Sequence, residues 1–307
     1  MTMRPLATVG NVNVDLIMGP ATPWPIPGTE VIVAHDDLRP GGAAGNAAFA
    51  WAGLGVPFTI ASNIGDDAFG RWLADAFDPH SHDWAVSACK TTISVALTHP
   101  GDERTFFTTR GHLPELSWTD AKRQLGVMRG GLLLLCGCFL MDRLTADYPA
   151  LFAWAAEQGV DVALDPGWPV AGWTEAELAR VRGWLHGTLH LLTNEIEALA
   201  LSGSDSIDAA LPALAALMPY GATVVIKAGA RGAYGLQGTT KAHAVAPRVS
   251  VIDTIGAGDI FNAGYLLAIA EGASLSAALL SGVTLASGAI STAPRAYERA
   301  HLVQGVV

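Results

Sequence analysis

Three cysteines and four lysines are all that this 307-residue chain contains of either type, and each shortage excludes something. Cys89, Cys136 and Cys138 cannot build a disulfide framework, and without further ligands beside them they make no metal site. Cys136 and Cys138, two apart in a strand-like run, are expected to face one side as buried strand thiols in a reducing compartment. With Lys90, Lys122, Lys227 and Lys241 as the whole lysine complement and a net charge of −10, no basic surface for nucleic acid is expected. Long apolar runs are missing too. Leu132 to Leu135 with Cys136 after it is strand-sized, and no run approaches the roughly 18 residues that span a bilayer, so no membrane partner is expected. Met1-Thr2-Met3-Arg4-Pro5 leads straight into a short strand without the apolar region of a signal peptide, and a cytoplasmic location is the expectation. No Gly-Lys-Ser/Thr occurs, which removes the common phosphate loop. No Gly-x-Gly-x-x-Gly follows the first strand, which argues against a dinucleotide-dependent dehydrogenase.

What is there is an apolar half, enough to bury a sizeable core. Short apolar runs at Leu6–Val9, Phe58–Ser62, Leu132–Cys136, Val160–Leu164, Leu189–Leu192 and Thr223–Lys227 alternate with helical patterns. The helices are expected at 47–54, 68–77, 148–157, 195–201, 209–217 and beyond Gly258. Repeated βα alternation with apolar strands predicts a parallel sheet covered on both faces. One stretch breaks the pattern: Thr92–Leu97 and Arg104–Thr109 flank the turn His99-Pro100-Gly101-Asp102 and predict a hairpin. With the segment from Val12 to Leu38, which holds a β-prone run at Glu30–Ala34, the hairpin is expected to form a small separate sheet over a site. One domain over residues 1–307 follows, its lid built from residues 12–38 and 91–112.

Near the C-terminus stands Asp253-Thr254-Ile255-Gly256-Ala257-Gly258-Asp259. Its small residues permit a tight turn, and a helix starting near Gly258 aims free N–H groups and its positive dipole end into that turn, which makes an anion site. A carboxylate beside an anion site repels phosphate unless it has a task. Taking the proton from a hydroxyl in line with a γ-phosphate is the task that fits Asp259, with the Gly-Ala-Gly amides stabilising the transferred group. An ordinary Gly turn with an acidic residue in the helix's first turn explains the same string. Asn194 and Glu197, three apart at a helix start, either hold a hydrated magnesium ion or form a capping box, and the two readings are compatible. Lys227-Ala228-Gly229-Ala230-Arg231-Gly232, after an apolar strand, is either a close approach to a nucleoside or a turn into an antiparallel edge strand. Asn11, Asn13 and Asp15 share a strand face, and Gly41-Gly42 with Asn46 forms a second polar turn suited to a hydroxylated ligand. An acidic chain cannot draw in a triphosphate by a general positive field, so its charge has to be met locally.

Taken together the residues resemble the ribokinase-like (PfkB-type) carbohydrate kinase family over nearly the whole chain. Asn13/Asp15 resembles its sugar-binding strand end, and Gly41-Gly42 to Asn46-Ala47 its Gly-Gly-x-x-x-Asn loop. Gly65-Asp66-Asp67-Ala68-Phe69-Gly70 is similar to its Gly-x-Asp-x-x-Gly segment, Gly101–Thr105 to its lid hairpin, Asn194/Glu197 to its magnesium motif, and Gly256–Asp259 to its anion hole and base. The resemblance implies a three-layer α/β/α sandwich with a mainly parallel sheet and a β lid that often builds a dimer. It implies ATP as donor, Mg2+, and in some members K+ near Asp253 and Ile255. By the same resemblance Asp259 is the base and Gly256, Ala257 and Gly258 the anion hole. Asn13, Asp15, Gly41, Gly42 and Asn46, with Arg104 and Arg110 from the lid, hold the acceptor; Asn194, Lys227, Gly229, Gly232 and Gly258 hold the nucleotide; Asn194 and Glu197 reach Mg2+ through water.

Two departures bear on the substrate. Ala43 stands where ribokinases typically carry Lys, which favours an unphosphorylated acceptor other than ribose. Pro166-Gly167-Trp168-Pro169 follows Asp165 where ketodeoxygluconate kinases and many fructokinases show Asn and Arg, which argues against an acidic sugar unless Arg104 or Arg110 stands in. Stacking by Trp168 keeps a nucleoside acceptor open, and a catalytically silent sugar- or nucleotide-binding regulator is the reading from a different class.

Overall fold

The structure is a computed structural model that describes residues 3–99 and 104–299. The chain opens with β1 (Leu6–Val9), β2 (Asn13–Gly19), β3 (His35–Gly41) and α1 (Ala43–Gly53). β4 (Thr59–Ala61), β5 (Asn63–Gly65), α2 (Ala68–Ala76) and β6 (Ala85–Ser87) lead to β7 (Ile93–Thr98) and β8 (Arg104–Thr108). Next come α3 (Trp118–Leu125), β9 (Leu132–Cys136), α4 (Asp142–Ala146), α5 (Tyr148–Gln158), β10 (Asp161–Asp165) and α6 (Glu175–Leu185). β11 (His190–Asn194), α7 (Glu195–Ser202), α8 (Ile207–Ala215) and β12 (Thr223–Lys227) follow. β13 (Ala233–Gln237), β14 (Thr240–Ala244), α9 (Ala257–Ala270) and α10 (Leu275–Ile290) complete the described elements.

The main sheet has the order β14-β13-β12-β11-β10-β9-β1-β4, parallel from β12 to β4, with β13 and β14 antiparallel at one edge. Its strands are apolar at successive positions because both faces are covered. Leu132 and Leu134 of β9 pack with α1, α9 and α10 on one side, and Leu133 and Leu135 pack with α3 and α5 to α8 on the other. The three layers expected from the alternation are therefore present. A separate sheet of order β3-β2-β7-β8 pairs β2 with β7 in parallel and adds β3 and β8 antiparallel at its edges.

Some expectations need correction. The run Glu30–Ala34 forms no strand; the strand is the polar His35–Gly41, drawn into the small sheet by pairing with β2. α1 starts at Ala43 rather than Ala47, directly on Gly42, whose φ of 87° suits glycine. Cys136 and Cys138 do not share a face. Gly137, at φ 67°, turns the chain between them, so Cys136 joins one core layer and Cys138, in a short 3₁₀ turn, the other. Both are buried, and burial pushes the Cys138 thiol up to about 12, whereas Cys89 is exposed. The turn Pro100-Gly101-Asp102 lies outside the described residues. α3 and α6, not expected from periodicity, start at Ser117 and Thr174, whose hydroxyls accept the N–H of Asp120 and Glu177. No helix among the described residues is long and apolar enough to cross a membrane.

The layering makes a simple contrast measurable. Leu134→Ala, at a site 1% exposed in the centre of the sheet, should lower the unfolding free energy by about 2–5 kcal/mol. Ile32→Ala, at 93% exposure, should stay within about 0.5 kcal/mol of the parent in the same urea titration.

Candidate active site

The parallel strands end together, and their C-terminal tips carry the polar residues. Asn11 follows β1, Gly137 follows β9, Asp165 ends β10, Asn194 ends β11 and Lys227 ends β12. All five line one cleft of ≈ 960 Å³, closed on its far side by the start of α9 and by residues of α10. β1 and β9 are neighbours from which the chain proceeds in opposite directions across the sheet, and open parallel sheets bind ligands outside the strand ends at such a reversal.

At the start of α9 the backbone turns through Gly256, φ 77°, where a Cβ would lie 2.6 Å from Asn46 Nδ2. The vacant position lets Asn46 reach past and donate to Asp259 Oδ2 at 2.9 Å. Ala257 gives its N–H to Thr254 O at 3.1 Å, so of the expected anion-hole set Ala257 is occupied. The first-turn amides of Gly258 and Asp259 have no earlier helical acceptor. Burial raises the Asp259 carboxyl to about 7, and the charge of Asp165 adds to the rise against the Asn46 hydrogen bond and Lys227. Lys227 Nζ lies 2.6 Å from Asp165 Oδ2 and 3.1 Å from Asn262 Oδ1, while Asn262 Nδ2 donates to the same Asp165 oxygen at 2.6 Å. Burial works against the ammonium, but Asp165 and then Glu197 outweigh it and hold Lys227 protonated. A Cβ on Gly258 would come 3.5 Å from that Nζ, an ordinary van der Waals contact, so the ammonium stands beside the start of α9.

Asn194 and Glu197 form the capping box outright: Asn194 Oδ1 accepts the Glu197 N–H and Glu197 Oε2 accepts the Asn194 N–H, each at 2.9 Å. Both still line the cleft. Burial, and next the charge of Asp165, lifts the Glu197 carboxyl to about 7. Among the described residues no group of three or more His, Cys, Asp or Glu is arranged to hold a metal. Gly229 and Gly232 line the cleft as expected, yet Gly232 is required by the sheet: a Cβ there would fall 1.9 Å from Ala244 O. Lys227 pairs with Ala233 across the turn, so the segment leads into an antiparallel strand as its second reading has it, but that strand, β13, is covered by β14 and is not the edge.

Where the sequence leads one to expect the acceptor, Asn11, Asn13 and Asp15 form a chain. Asn11 Nδ2 donates to Asn13 Oδ1 at 3.0 Å, and Asn13 Nδ2 to Asp15 Oδ1 at 2.7 Å. Gly41 and Gly42 pass so close to this chain that a Cβ would meet Asp15 Oδ2 or Asn11 O. Of this cluster Asn11 reaches the cleft, as does the neighbouring Ala43. Burial raises Asp15 to about 6, against the Asn13 hydrogen bond and the charge of Arg39. Arg104 donates to the Thr254 hydroxyl, beside the cleft. Arg110 is not brought into it: its exposed guanidinium pairs with Asp142. Asp253 and Ile255 face arginine side chains. Asp253 Oδ2 accepts Nη2 of Arg39 and of Arg295, each at 2.6 Å, and Ile255 O accepts from Arg295. Trp168 packs edge-on against Trp173, with ring centroids 6.1 Å apart.

The model of the pfkB family carbohydrate kinases matches residues 3–294. The chain belongs to that family. It is 26% identical over 298 residues to a ribokinase of Haemophilus influenzae, covering 92% of this chain and 91% of the relative. It is 25% identical over 293 residues to fructokinase-2 of Solanum lycopersicum, covering 87% of each. The fold matches that of Arabidopsis thaliana ribokinase complexed with ribose and ATP at a TM-score of 0.75 and 23% identity, over 95% of this chain and 94% of that one. The fold is thus ribokinase-like, and the chain is a sugar kinase of the ribokinase and fructokinase type.

In this pfkB family chain the motifs account for Asp259, Asn46, Lys227 and the capping box, but not for Asn262, Arg39 or Arg295. Asn262 sits three residues after Asp259 on α9 and could have been placed on the same helix face from that spacing. The two arginines lie in segments without periodicity, and nothing local marks them.

A buried acid with a raised carboxyl destabilises the fold in its charged form. Because folding lifts Asp259 from 3.8 to about 7, its contribution is absent below the lower value, grows between the two and is full above the upper. Asp259→Asn should therefore melt at a higher temperature than the parent near pH 8, with the difference shrinking towards pH 4, as followed by calorimetry across that range.

Proposed function

We propose that the chain transfers the γ-phosphate of ATP to a hydroxymethyl group of a small, unphosphorylated sugar, with Asp259 as general base. The observation that carries this reading is the Asp259 carboxyl, oriented by Asn46, open to the cleft at the strand tips and adjacent to helix-start amides. A carboxyl raised to about 7 takes a proton from a hydroxyl more readily than an ordinary one, which is the trade a general base needs. The amides of Gly256 and Gly258, joined by Lys227, would meet the charge on the transferred phosphoryl. Residues 12–38 and 91–112 would act as a lid over one kinase unit, excluding water that would otherwise accept the phosphoryl group.

An acceptor without phosphate suits this wall. Ala43 brings no cation, and Arg39 and Arg104 are turned to Asp253 and Thr254. Trp168 packs edge-on against Trp173 and is not among the residues lining the cleft, so it lends a nucleoside no support. Mg2+ fits as a hydrated ion carried by the nucleotide phosphates. Asn194 and Glu197 reach the cleft but already share an oxygen each with the capping box, which suits contact through water. The ion would add to Lys227 and to Arg248, which also lines the cleft, in neutralising phosphate charge.

We also infer a dimer through the small sheet. Phe106 and Phe107, adjacent in β8 and hence on opposite faces, are both about half exposed, and Trp24 stacks beside Phe107. Two apolar faces left open to water favour cover by a second copy.

In an ADP-release assay with a panel of sugars and nucleosides, Asp259→Ala should lower turnover by about 10²–10⁴-fold while nucleotide binding persists. Near-normal turnover would remove Asp259 from its role. With the native chain kcat/KM should climb as pH rises to about 7 and level off above it. Sedimentation should give twice the 31.9 kDa of one chain, and Phe107→Glu should return it to a single copy.

A further inference from the structure

The loop before α9 is held by charge supplied from elsewhere in the same chain. Arg295 donates through Nη2 both to Asp253 Oδ2, at 2.6 Å, and to Ile255 O. Those are the two groups that the family resemblance gives to a potassium ion. Arg39 Nη2 reaches the same Asp253 oxygen at 2.6 Å, and Asp253 Oδ1 takes the Ile255 N–H at 2.8 Å. A monovalent cation does not fit these residues: it would stand against two guanidinium groups that already face the single carboxylate. The arginine side is firmly seated. Its side chain is 14% exposed, and the segment that carries it follows α10, whose last carbonyl, Ile290 O, accepts the N–H groups of Ile252 and Asp253 at 2.8 and 3.2 Å.

The position matters because of what the loop does next. Thr254 O accepts the Ala257 N–H, and Gly256 opens α9, so the placing of Asp253 and Ile255 sets where the helix-start amides and Asp259 stand. Burial alone would raise the Asp253 carboxyl; the Ile255 N–H, the charge of Arg39 and that of Arg295 together bring it below the usual range. Guanidinium keeps its charge at any working pH. The pair is thus permanent, whereas a free ion is bound only in proportion to its concentration.

We propose that Arg295 is a tethered substitute for a monovalent cation, positioning the loop from Asp253 to Gly258 so that this chain needs no potassium. It is a positioning residue, since it touches Asp253 and Ile255 rather than any reacting group. The activity arm of the test rests on the kinase reading above; the melting arm does not.

Turnover and melting temperature are to be measured in potassium chloride and in choline chloride at equal ionic strength. For the native chain both quantities should be the same in the two salts. Arg295→Ala should lose about 10–100-fold in kcat in choline chloride, and potassium should restore part of that loss and raise the variant's melting temperature. Several-fold stimulation of the native chain by potassium, or a potassium-specific rise in its melting temperature, overturns the proposal. So does an Arg295→Ala variant that responds identically to both salts. Should the variant fail to fold, the native comparison decides by itself. If no acceptor is phosphorylated under any condition, the kinase reading falls and the melting temperatures still decide the cation question.

Discussion

One ammonium group has to serve a cleft that holds three carboxylates. Lys227 is bonded to Asp165 at 2.6 Å, and the charges of Glu197 and Asp259 act on it too. Burial first, and the charge of Asp165 after it, raises the carboxyls of both Glu197 and Asp259, and the strand tips carry a surplus of negative charge. Everything else at the strand tips follows from managing that surplus. Asn262 shares the Asp165 oxygen with Lys227, Asn194 and its helix start take one oxygen of Glu197, and Asn46 takes one of Asp259. Each carboxylate thus has a neutral donor of its own, and the cleft is left with a demand for positive charge that magnesium bound to a nucleotide would meet.

Glycine is used here for what it leaves empty. Gly256 makes room for the Asn46 amide, and Gly41 and Gly42 for the Asn11–Asn13–Asp15 chain. In each case a polar side chain from another element occupies the space that a Cβ would fill. Glycine turns and polar residues therefore form one arrangement, in which a methyl group at any of these positions displaces a hydrogen-bonding group from its partner.

The parts of this arrangement that sequence made legible are those governed by local pattern. β9 and β12 agree residue for residue with their expected bounds, because apolar runs between turns leave a buried parallel strand as the natural reading. The capping box at Asn194 and the turn at Gly256 are likewise local. β3 was hidden because His35-Asp36-Asp37-Leu38-Arg39-Pro40-Gly41 has neither alternation nor an apolar face, and its conformation comes from pairing with β2. The hold on Asp253 was hidden for a stronger reason. Its partners stand 214 and 42 residues away, and an arginine in a polar segment looks the same whether it points to water or to a half-buried acid. Arg110 shows the converse, since its place in the lid hairpin suggested the acceptor and its actual neighbour is Asp142.

Arg39 lies on β3 and Arg104 on β8, the two outer strands of the small sheet. Both reach down to consecutive residues, Asp253 and Thr254, just ahead of α9. The sheet is consequently riveted at its opposite margins to the one stretch of backbone that sets the helix start. It cannot be raised as a rigid flap without tugging that backbone from both sides, so a shift of the sheet and a shift of the helix start are mechanically one movement.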